Sequence, residues 1–263
     1  MKPDYKNWVP KGMVAGVISA AAIAGILLAF FSFTHLLTGT AKLIAQIIAG
    51  LLFIFLLAFA AMCLIWYNTF SYNGKKQFAK RIIEKIADYV VLPENGRGLD
   101  IGCGSGALTI ACAKKNKGAF MVGLDRWGKE YASFNKPLCE SNANLEGVAD
   151  NTSFVQGDAK KLCFDDESFD AVTSNYCYHN IFSRDRQEII LETLRVLKKG
   201  GTFAIHDIFT KERYGDMDIF IKKLKDMGYE RVELLDTSSG LFMTKRESSV
   251  LMLKGSALLV GKK

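Results

Sequence analysis

The 263-residue chain has almost no charge in its first quarter. Between Met13 and Trp66 the only charged side chain is Lys42, and arginine, aspartate and glutamate are absent. The chain as a whole is nevertheless 23% charged and 49% hydrophobic, which excludes a disordered chain, a collagen and a small disulfide scaffold. The uneven distribution predicts a lipid-soluble N-terminal part followed by an ordinary globular part.

The globular part lacks a surplus of positive charge. The net charge is +7, and residues 1–85 already hold nine Lys and Arg against two acidic residues, so residues 86–263 are neutral overall. A nucleic-acid groove needs clustered Lys and Arg in excess, so no nucleic-acid partner is predicted. The basic residues instead flank the apolar region, where they indicate topology and attraction to anionic lipid head groups.

Metal-binding and disulfide patterns are also missing. The six cysteines form no C-x-x-C pair and no paired spacing with histidine. We therefore predict no metal site and no disulfide framework, and a reducing cytosolic environment. Histidine is scarce as well, since the chain contains only His35, His179 and His206.

Two apolar runs, 13–33 and 43–66, are each long enough to cross a bilayer. Their 21 and 24 residues correspond to about 30–36 Å of helix at 1.5 Å per residue. A cleaved signal peptide is disfavoured for the first run, because the run is too long and a second one follows at once. A buried helical hairpin in a soluble core is the remaining alternative to a transmembrane hairpin.

Basic residues lie outside both runs, whereas the loop between the runs contains only Lys42. The positive-inside rule therefore predicts that both termini and the globular domain are cytoplasmic. Small residues recur at four-residue spacing in the first run: Gly12, Gly16, Ala20 and Ala24. Such a stripe favours close helix contact, either within the hairpin or in a homodimer.

Three segments follow from this pattern: a membrane anchor at 1–67, an amphipathic helix at 68–92 and a globular domain at 93–263. In the middle segment Ile82, Ile86 and Tyr89 follow helical spacing among basic residues. The helix is interpreted either as a lid over a pocket or as a packed linker.

From Arg97 onward short apolar runs alternate with helical patterns, which predicts βαβ units and a parallel sheet. The predicted strands are 98–101, 119–125, 153–157, 169–174 and 202–206. Two later runs, 230–235 and 256–261, have no helical pattern between them and are expected to form an antiparallel pair at one edge. Ligands of such sheets bind at the carboxyl ends of the strands, so the polar residues there are the candidates for function.

A glycine-rich segment, Asp100–Gly106, follows the first predicted strand and opens a helix at Ala107. Asp125 ends the second strand, 23 residues after Gly102, where a carboxylate accepts two hydrogen bonds from a ribose diol. Both NAD and S-adenosylmethionine (SAM) carry that diol. A carboxylate at Asp100 would repel pyrophosphate but suits the positive charges of SAM, and Asp158 offers a second carboxylate for an adenine amino group.

Together these segments resemble the class I SAM-dependent methyltransferases. The motifs that carry the resemblance, in the order of that family, are GLDIGCGSG at 98–106, VGLD at 122–125, QGDA at 156–159, FDAV at 169–172 and LRVLKKGG at 194–201. The resemblance covers roughly residues 90–263. It implies an α/β, Rossmann-like sheet of seven strands with an antiparallel last strand, and SAM as the cofactor.

The resemblance also implies where the cofactor is held. Asp100 and the glycine backbone would contact the methionine part, Asp125 the ribose, Arg126 or Trp127 the adenine ring and Asp158 the adenine amino group. The full predicted set is Asp100, Gly102, Cys103, Gly104, Gly106, Asp125, Arg126, Trp127, Asp158, Ala159 and Asn175. The alternative for each acidic residue is a helix cap or a turn, and for Trp127 it is packing.

The segment Ser174–Asn180 is the candidate wall of the acceptor site. His179 and His206 follow the fourth and fifth strands, and Asn175 lies at the methyl end of the implied cofactor. These three are the candidate catalytic residues, because histidine titrates near neutral pH and a base is needed when the acceptor arrives protonated. A purely structural histidine is the alternative in both cases.

A membrane tether raises the local concentration of lipid-soluble molecules around the domain. The sequence therefore predicts a membrane-anchored SAM-dependent methyltransferase that acts on a hydrophobic small molecule such as a lipid, a quinone-like ring or a thiol. Two alternatives remain open: a nicotinamide-dependent oxidoreductase and a non-catalytic SAM-binding membrane module.

Overall fold

The computed structural model describes residues 2–128 and 133–263, which form two compact units. One unit comprises residues 7–80, and the other comprises residues 2–6 together with residues 81–263. The structural boundary therefore differs from the sequence-based division at residues 67 and 92, since the first residues of the chain pack with the globular part.

The apolar unit contains helices α1 (Lys11–Phe33) and α2 (Gly39–Phe70). Helix α1 begins directly after Pro10, two residues before the apolar run 13–33, and ends with that run at Phe33. Helix α2 extends beyond the run 43–66 by four residues at each end. Their most apolar stretches have mean hydropathies of 2.5 and 2.9, and most of that surface is exposed. By length and composition alone, both helices could cross a bilayer.

Small residues line the contact between α1 and α2. Ala24 and Ala49 are buried, and a Cβ at Gly25 would lie 3.0 Å from the ring of Phe53. At Gly12 and Gly16, in contrast, no atom lies within 4 Å of the position that a Cβ would take. Part of the predicted small-residue stripe is thus used for packing within the hairpin, while its first two members face open space.

The predicted helix 68–92 is wrong in its extent. Residue 70 ends α2, a turn closed by the Gly74 N–H to the Ser71 carbonyl follows, and α3 covers only Phe78–Ala87. The Asn73-Gly74 pair explains the break, because these residues favour turns. The predicted apolar face is present within α3, where Ile82, Ile83 and Ile86 are buried.

The globular unit is built on a seven-stranded mixed sheet with the order β3-β2-β1-β4-β5-β7-β6. The strands are β1 Arg97–Ile101, β2 Phe120–Asp125, β3 Thr152–Gln156, β4 Phe169–Asn175, β5 Leu197–Ile208, β6 Arg231–Asp236 and β7 Ser256–Lys262. Strands β1 to β5 pair in parallel, and β7 runs antiparallel between β5 and β6. The predicted sheet with an antiparallel last strand is confirmed, and β6 and β7 form the expected antiparallel pair at one edge.

Helices connect the strands of this unit. They are α4 Ala107–Lys115, α5 Lys136–Leu145, α6 Gln187–Arg195, α7 Lys211–Tyr214, α8 Met217–Asp226 and α9 Lys245–Val250. Helix α9 contradicts the expectation that no helix lies between the last two strands. It begins at a capping box in which Thr244 and Glu247 bond reciprocally, a spacing that the sequence contains before a helix of only six residues.

The core holds the strand ends in fixed positions. Leu99, Ile101, Val172, Phe203 and Leu259 are all buried in one cluster, and each such side chain contributes about 1.5–3 kcal/mol of burial free energy. The strand order reverses between β1 and β4, so their following loops diverge and leave a crevice at the carboxyl edge of the sheet.

Candidate active site

The loop after β1 has a backbone conformation that requires glycine. Gly102, Gly104 and Gly106 have φ angles of 74°, 57° and 81°, a region that side chains with a Cβ rarely adopt. A Cβ at Gly102 would lie 2.2 Å from the Cys177 sulfur, whereas no atom of residues 2–128 or 133–263 lies within 4 Å of the corresponding position at Gly104. The loop is therefore packed at its start and open at Gly104, where a ligand can approach the backbone.

Asp125, at the end of β2, is bonded to this loop. Its Oδ2 accepts the N–H of Gly104 at 2.8 Å and its Oδ1 accepts the N–H of Trp127 at 2.8 Å. The Trp127 indole N–H donates to the Gly104 carbonyl at 2.9 Å. Each carboxylate oxygen can accept more than one hydrogen bond, so the arrangement fixes Asp125 while leaving capacity for a diol.

Asp100 is buried beneath the loop, and the Thr109 hydroxyl donates to its Oδ2 at 2.7 Å. Burial raises the pKa of Asp100 to about 7, the bond from Thr109 opposes this shift and the charge of Asp125 adds to it. A cationic ligand nearby would favour the ionised form. Cys103 is buried in the same loop, where burial raises the pKa of its thiol, which agrees with a small packed residue.

The third strand ends beside the second, with Gln156 opposite Asp125. Asp158 is exposed and its Oδ1 accepts the N–H of Lys160 at 2.9 Å, while Ala159 is buried. The carbonyl of Arg126 accepts a bond from the Gln156 side chain at 3.0 Å. The predicted adenine-side residues thus lie on adjacent strand ends.

His206 is fully buried at the end of β5. Its Nδ1 donates to Asn175 Oδ1 at 2.9 Å, since that oxygen can only accept, and its Nε2 then accepts the Thr237 hydroxyl at 2.8 Å. Burial lowers the pKa of His206 to about 3, against the opposing charge of Asp207. A neutral ring with both nitrogens occupied positions Asn175 rather than taking up a proton.

His179 has a different environment, in the turn after β4. Its Nδ1 lies 2.5 Å from Asp207 Oδ1, and its backbone N–H donates to Asp207 Oδ2 at 3.2 Å. Asp207 is 1% exposed, whereas the His179 side chain is 17% exposed. Among residues 2–128 and 133–263 no hydrogen bond is made by Nε2 of His179, so this nitrogen is available to a ligand.

Asp207 was not assigned a role from the sequence, although it follows His206 directly. Burial alone would raise the pKa of Asp207, but the bonds from His179 and from the Ile208 N–H outweigh it and hold that pKa below its usual range. An ionised carboxylate at Nδ1 fixes the histidine tautomer with Nε2 unprotonated. Such an arrangement is chemically able to accept a proton at Nε2 while the carboxylate holds the ring.

Aromatic rings line the neighbourhood of these histidines. The Tyr176 ring lies 4.5 Å from His206 and 6.0 Å from His179, and the Phe242 ring lies 5.2 Å from His206 and 6.4 Å from Tyr89. Phe242 belongs to the segment between β6 and β7, and Tyr89 follows α3. Tyr176 therefore contacts both histidines, whereas Phe242 contacts His206 and is itself in contact with Tyr89.

Residues 99–205 match the protein family described as "Methyltransferase domain". The chain is 33% identical over 146 residues to the sterol 4-C-methyltransferase strm-1 of Caenorhabditis elegans. The aligned region covers 55% of this chain and 41% of that protein. The chain is 36% identical over 117 residues to a demethylmenaquinone methyltransferase of Roseiflexus castenholzii, an alignment that covers 44% of each. The chain thus spans less than half the length of these two relatives.

Among solved structures, the [4+2]-cyclase SpnF superposes with a TM-score of 0.55 at 20% identity, covering 72% of this chain and 82% of SpnF. That likeness shows the shared fold alone. The matched family and the two relatives show that residues 99–205 are similar to methyltransferase domains that use SAM as cofactor. The open backbone at Gly104 and the carboxylate of Asp125 are suited to hold it.

Proposed function

We propose that this protein is a membrane-anchored methyltransferase that transfers a methyl group from SAM to a hydrophobic small molecule carrying an acidic O–H or C–H group. The observation that carries the proposal is the combination of two features at one sheet edge. A carboxylate placed for a nucleoside diol, Asp125, lies at the end of β2, and an oriented histidine–aspartate pair, His179 with Asp207, lies at β4 and β5.

The cofactor side of this proposal uses the residues around the glycine loop. The Asp125 carboxylate would take the ribose hydroxyls, Trp127 would border the adenine ring, and the open backbone at Gly104 would allow close approach. Asp100 would favour the positively charged end of the cofactor. SAM, when bound, supplies an electrophilic methyl group, and the chain's own task is to align the acceptor with it and exclude water.

The acceptor side uses the His179–Asp207 pair. Nε2 of His179 would remove the proton of the acceptor as the methyl group is transferred, and Asp207 would stabilise the resulting imidazolium. This requirement favours an acceptor that arrives protonated at oxygen or carbon. Asn175, held by His206, would line the passage between the two sides.

The hydrophobic character of the acceptor is supported by two kinds of observation. The Tyr176 ring contacts both His179 and His206, and the Phe242 ring contacts His206. Aromatic rings of this kind favour a flat or lipid-like molecule. The names of the two relatives refer to a sterol and to demethylmenaquinone, both of which are lipid-soluble.

Transfer of labelled methyl groups tests this function. The full chain in membranes, given methyl-labelled SAM, should label material that partitions into organic solvent when membranes are extracted. Protein without the Asp125 carboxylate (Asp125→Ala) serves as the control for enzyme-dependent label. Label found only in soluble protein or nucleic acid would contradict the proposal.

Ligand-binding measurements distinguish two other functions from the proposed one. A nicotinamide-dependent oxidoreductase would be stabilised by NADH and not by SAM in a thermal-shift measurement. A non-catalytic SAM-binding membrane module would be stabilised by SAM and would label nothing. The fold is shared with a protein named as a cyclase, so the labelling result rather than the fold decides.

The proposed anchor gives a topology prediction. If α1 and α2 span a membrane with both termini cytoplasmic, the full chain should remain in the membrane fraction after alkaline extraction. Cys163 is exposed in the globular unit and should react with a membrane-impermeant maleimide only after the cells are permeabilised. Leu36 is exposed between the two helices, so a cysteine placed there (Leu36→Cys) should react in intact cells. The reverse pattern would contradict the predicted orientation.

A further inference from the structure

Residues 2–6, which precede the first apolar helix in sequence, are built into the globular unit. The side-chain amide of Asn142, on α5, makes two hydrogen bonds to the backbone of Asp4. The Asp4 N–H donates to Asn142 Oδ1 at 2.8 Å, and Asn142 Nδ2 donates to the Asp4 carbonyl at 3.0 Å. Asn142 is 1% exposed, so these bonds are protected from water.

The same amide reaches the glycine loop. Asn142 Nδ2 also donates to the carbonyl of Ser105 at 3.0 Å, and the Ser105 hydroxyl donates to the carbonyl of Tyr5 at 2.9 Å. Tyr5 is 3% exposed and its hydroxyl donates to Glu146 at 3.1 Å. The carbonyl of Ser105 is therefore hydrogen-bonded to Asn142, and its hydroxyl is hydrogen-bonded to Tyr5 in the N-terminal segment.

Ser105 lies in the middle of the glycine loop, next to the backbone that bonds Asp125. It stands between Gly104, whose N–H bonds Asp125, and Gly106, which caps α4 with a φ of 81°. Glycines with positive φ give a loop little conformational preference of its own, so its shape must come from neighbouring contacts. The bonds to Asn142 and Tyr5 supply such contacts directly next to Gly104.

We propose that Asp4 and Tyr5 are positioning residues of the cofactor site, which act through Ser105 and Asn142 to hold the glycine loop in its binding shape. The inference rests on the proposed function, since it concerns affinity for SAM. A preformed loop binds without the entropy loss of ordering it. Release of residues 2–6 from Asn142 would therefore weaken cofactor binding while leaving the His179–Asp207 pair in place.

The test uses the full chain in lipid nanodiscs and compares Tyr5→Ala with Tyr5→Phe. Tyr5→Ala removes the buried ring that seats the segment, and should raise the Kd and KM for SAM about tenfold or more. Initial rates with membrane lipid extract at saturating SAM should stay within about twofold of the unmodified protein. Tyr5→Phe keeps the ring and removes the hydroxyl that donates to Glu146, so its SAM affinity should change by less than about threefold.

Asn142→Asp provides a second variant of nearly equal volume. It retains an acceptor for the Asp4 N–H but loses both donated bonds, so it should weaken SAM binding like Tyr5→Ala, and the two changes combined should be less than additive. Amide hydrogen exchange should rise in residues 102–106 of both variants and not in β7.

Distinct results overturn the inference. It is wrong if Tyr5→Ala and Asn142→Asp bind SAM as the unmodified protein does, if they lower the rate at saturating SAM as much as the affinity, or if exchange rises throughout the globular unit. Failure of the unmodified protein to bind SAM would instead contradict the proposed function itself. Calorimetry on that protein separates the two cases.

Discussion

Replacing His179 by alanine should lower the rate of methyl transfer by about 10²- to 10⁴-fold at saturating SAM, the range typical of a lost general base. The affinity for SAM should stay within about threefold, because within residues 2–128 and 133–263 no hydrogen bond joins His179 to the glycine loop or to Asp125. The lost interaction forms only as the acceptor reacts. The reason for the large effect is the geometry at Nδ1. The 2.5 Å contact to a buried carboxylate directs Nε2 toward proton uptake.

Asp207→Asn should lower the rate of methyl transfer by a comparable factor, for a different reason. The amide keeps the volume of the carboxylate, but it cannot stabilise an imidazolium and it can hold the ring in the opposite tautomer. Both variants are measured with labelled SAM and membrane lipid extract, alongside SAM calorimetry. His35→Ala is the matched control, since His35 is an exposed histidine in the apolar unit, and it should retain the unmodified rate. Retention of the rate by His179→Ala would show that the acceptor loses its proton by another route.

The two histidines at the sheet edge show where the sequence is sufficient and where it is not. Their positions, after β4 and near the end of β5, follow from the alternation of apolar runs along the sequence. Successive side chains of a strand point to opposite faces, so His206 and Asp207 must face different neighbours. Which of them meets His179 depends on the register between strands and on the turn at 178–180. The sequence therefore supplies both candidates but does not separate the buried neutral ring from the one with an available nitrogen.

The cofactor side was more predictable because its contacts are short-range. The glycine loop, Asp125 and Trp127 lie within 26 residues of one another, and the motif spacing alone brings them together. The contacts of Asp4 and Tyr5 with Asn142 and Glu146 span 138 and 141 residues. No local pattern predicts such pairing, so the role of the first residues became visible only in the structure.

The Asp125 carboxylate should carry the largest part of the affinity for SAM. A ribose diol would donate two hydrogen bonds to it, and bonds to a charged group contribute about 1.5–3 kcal/mol each. Asp125→Ala should therefore weaken SAM binding by at least about 10²-fold, since each 1.4 kcal/mol is a factor of ten. The variant also removes the acceptor of the Gly104 and Trp127 N–H groups, so the loop loses two bonds as well.

Asp125→Asn distinguishes the charge from the shape of this side chain. In this variant, one of the two backbone N–H groups that now donate to the carboxylate would face the amide NH₂, which is also a donor. The asparagine variant should therefore bind SAM little better than the alanine variant does. Asp158→Asn is the matched control. Asp158 is an exposed aspartate just after the neighbouring strand, and its Oδ1 accepts the local N–H of Lys160. This variant should change SAM affinity by less than about tenfold. Calorimetry with SAM and with NADH on all three variants measures these effects. If Asp125→Ala binds SAM as tightly as the unmodified protein, Asp125 only closes a turn, and the assignment of this sheet edge to the cofactor is wrong.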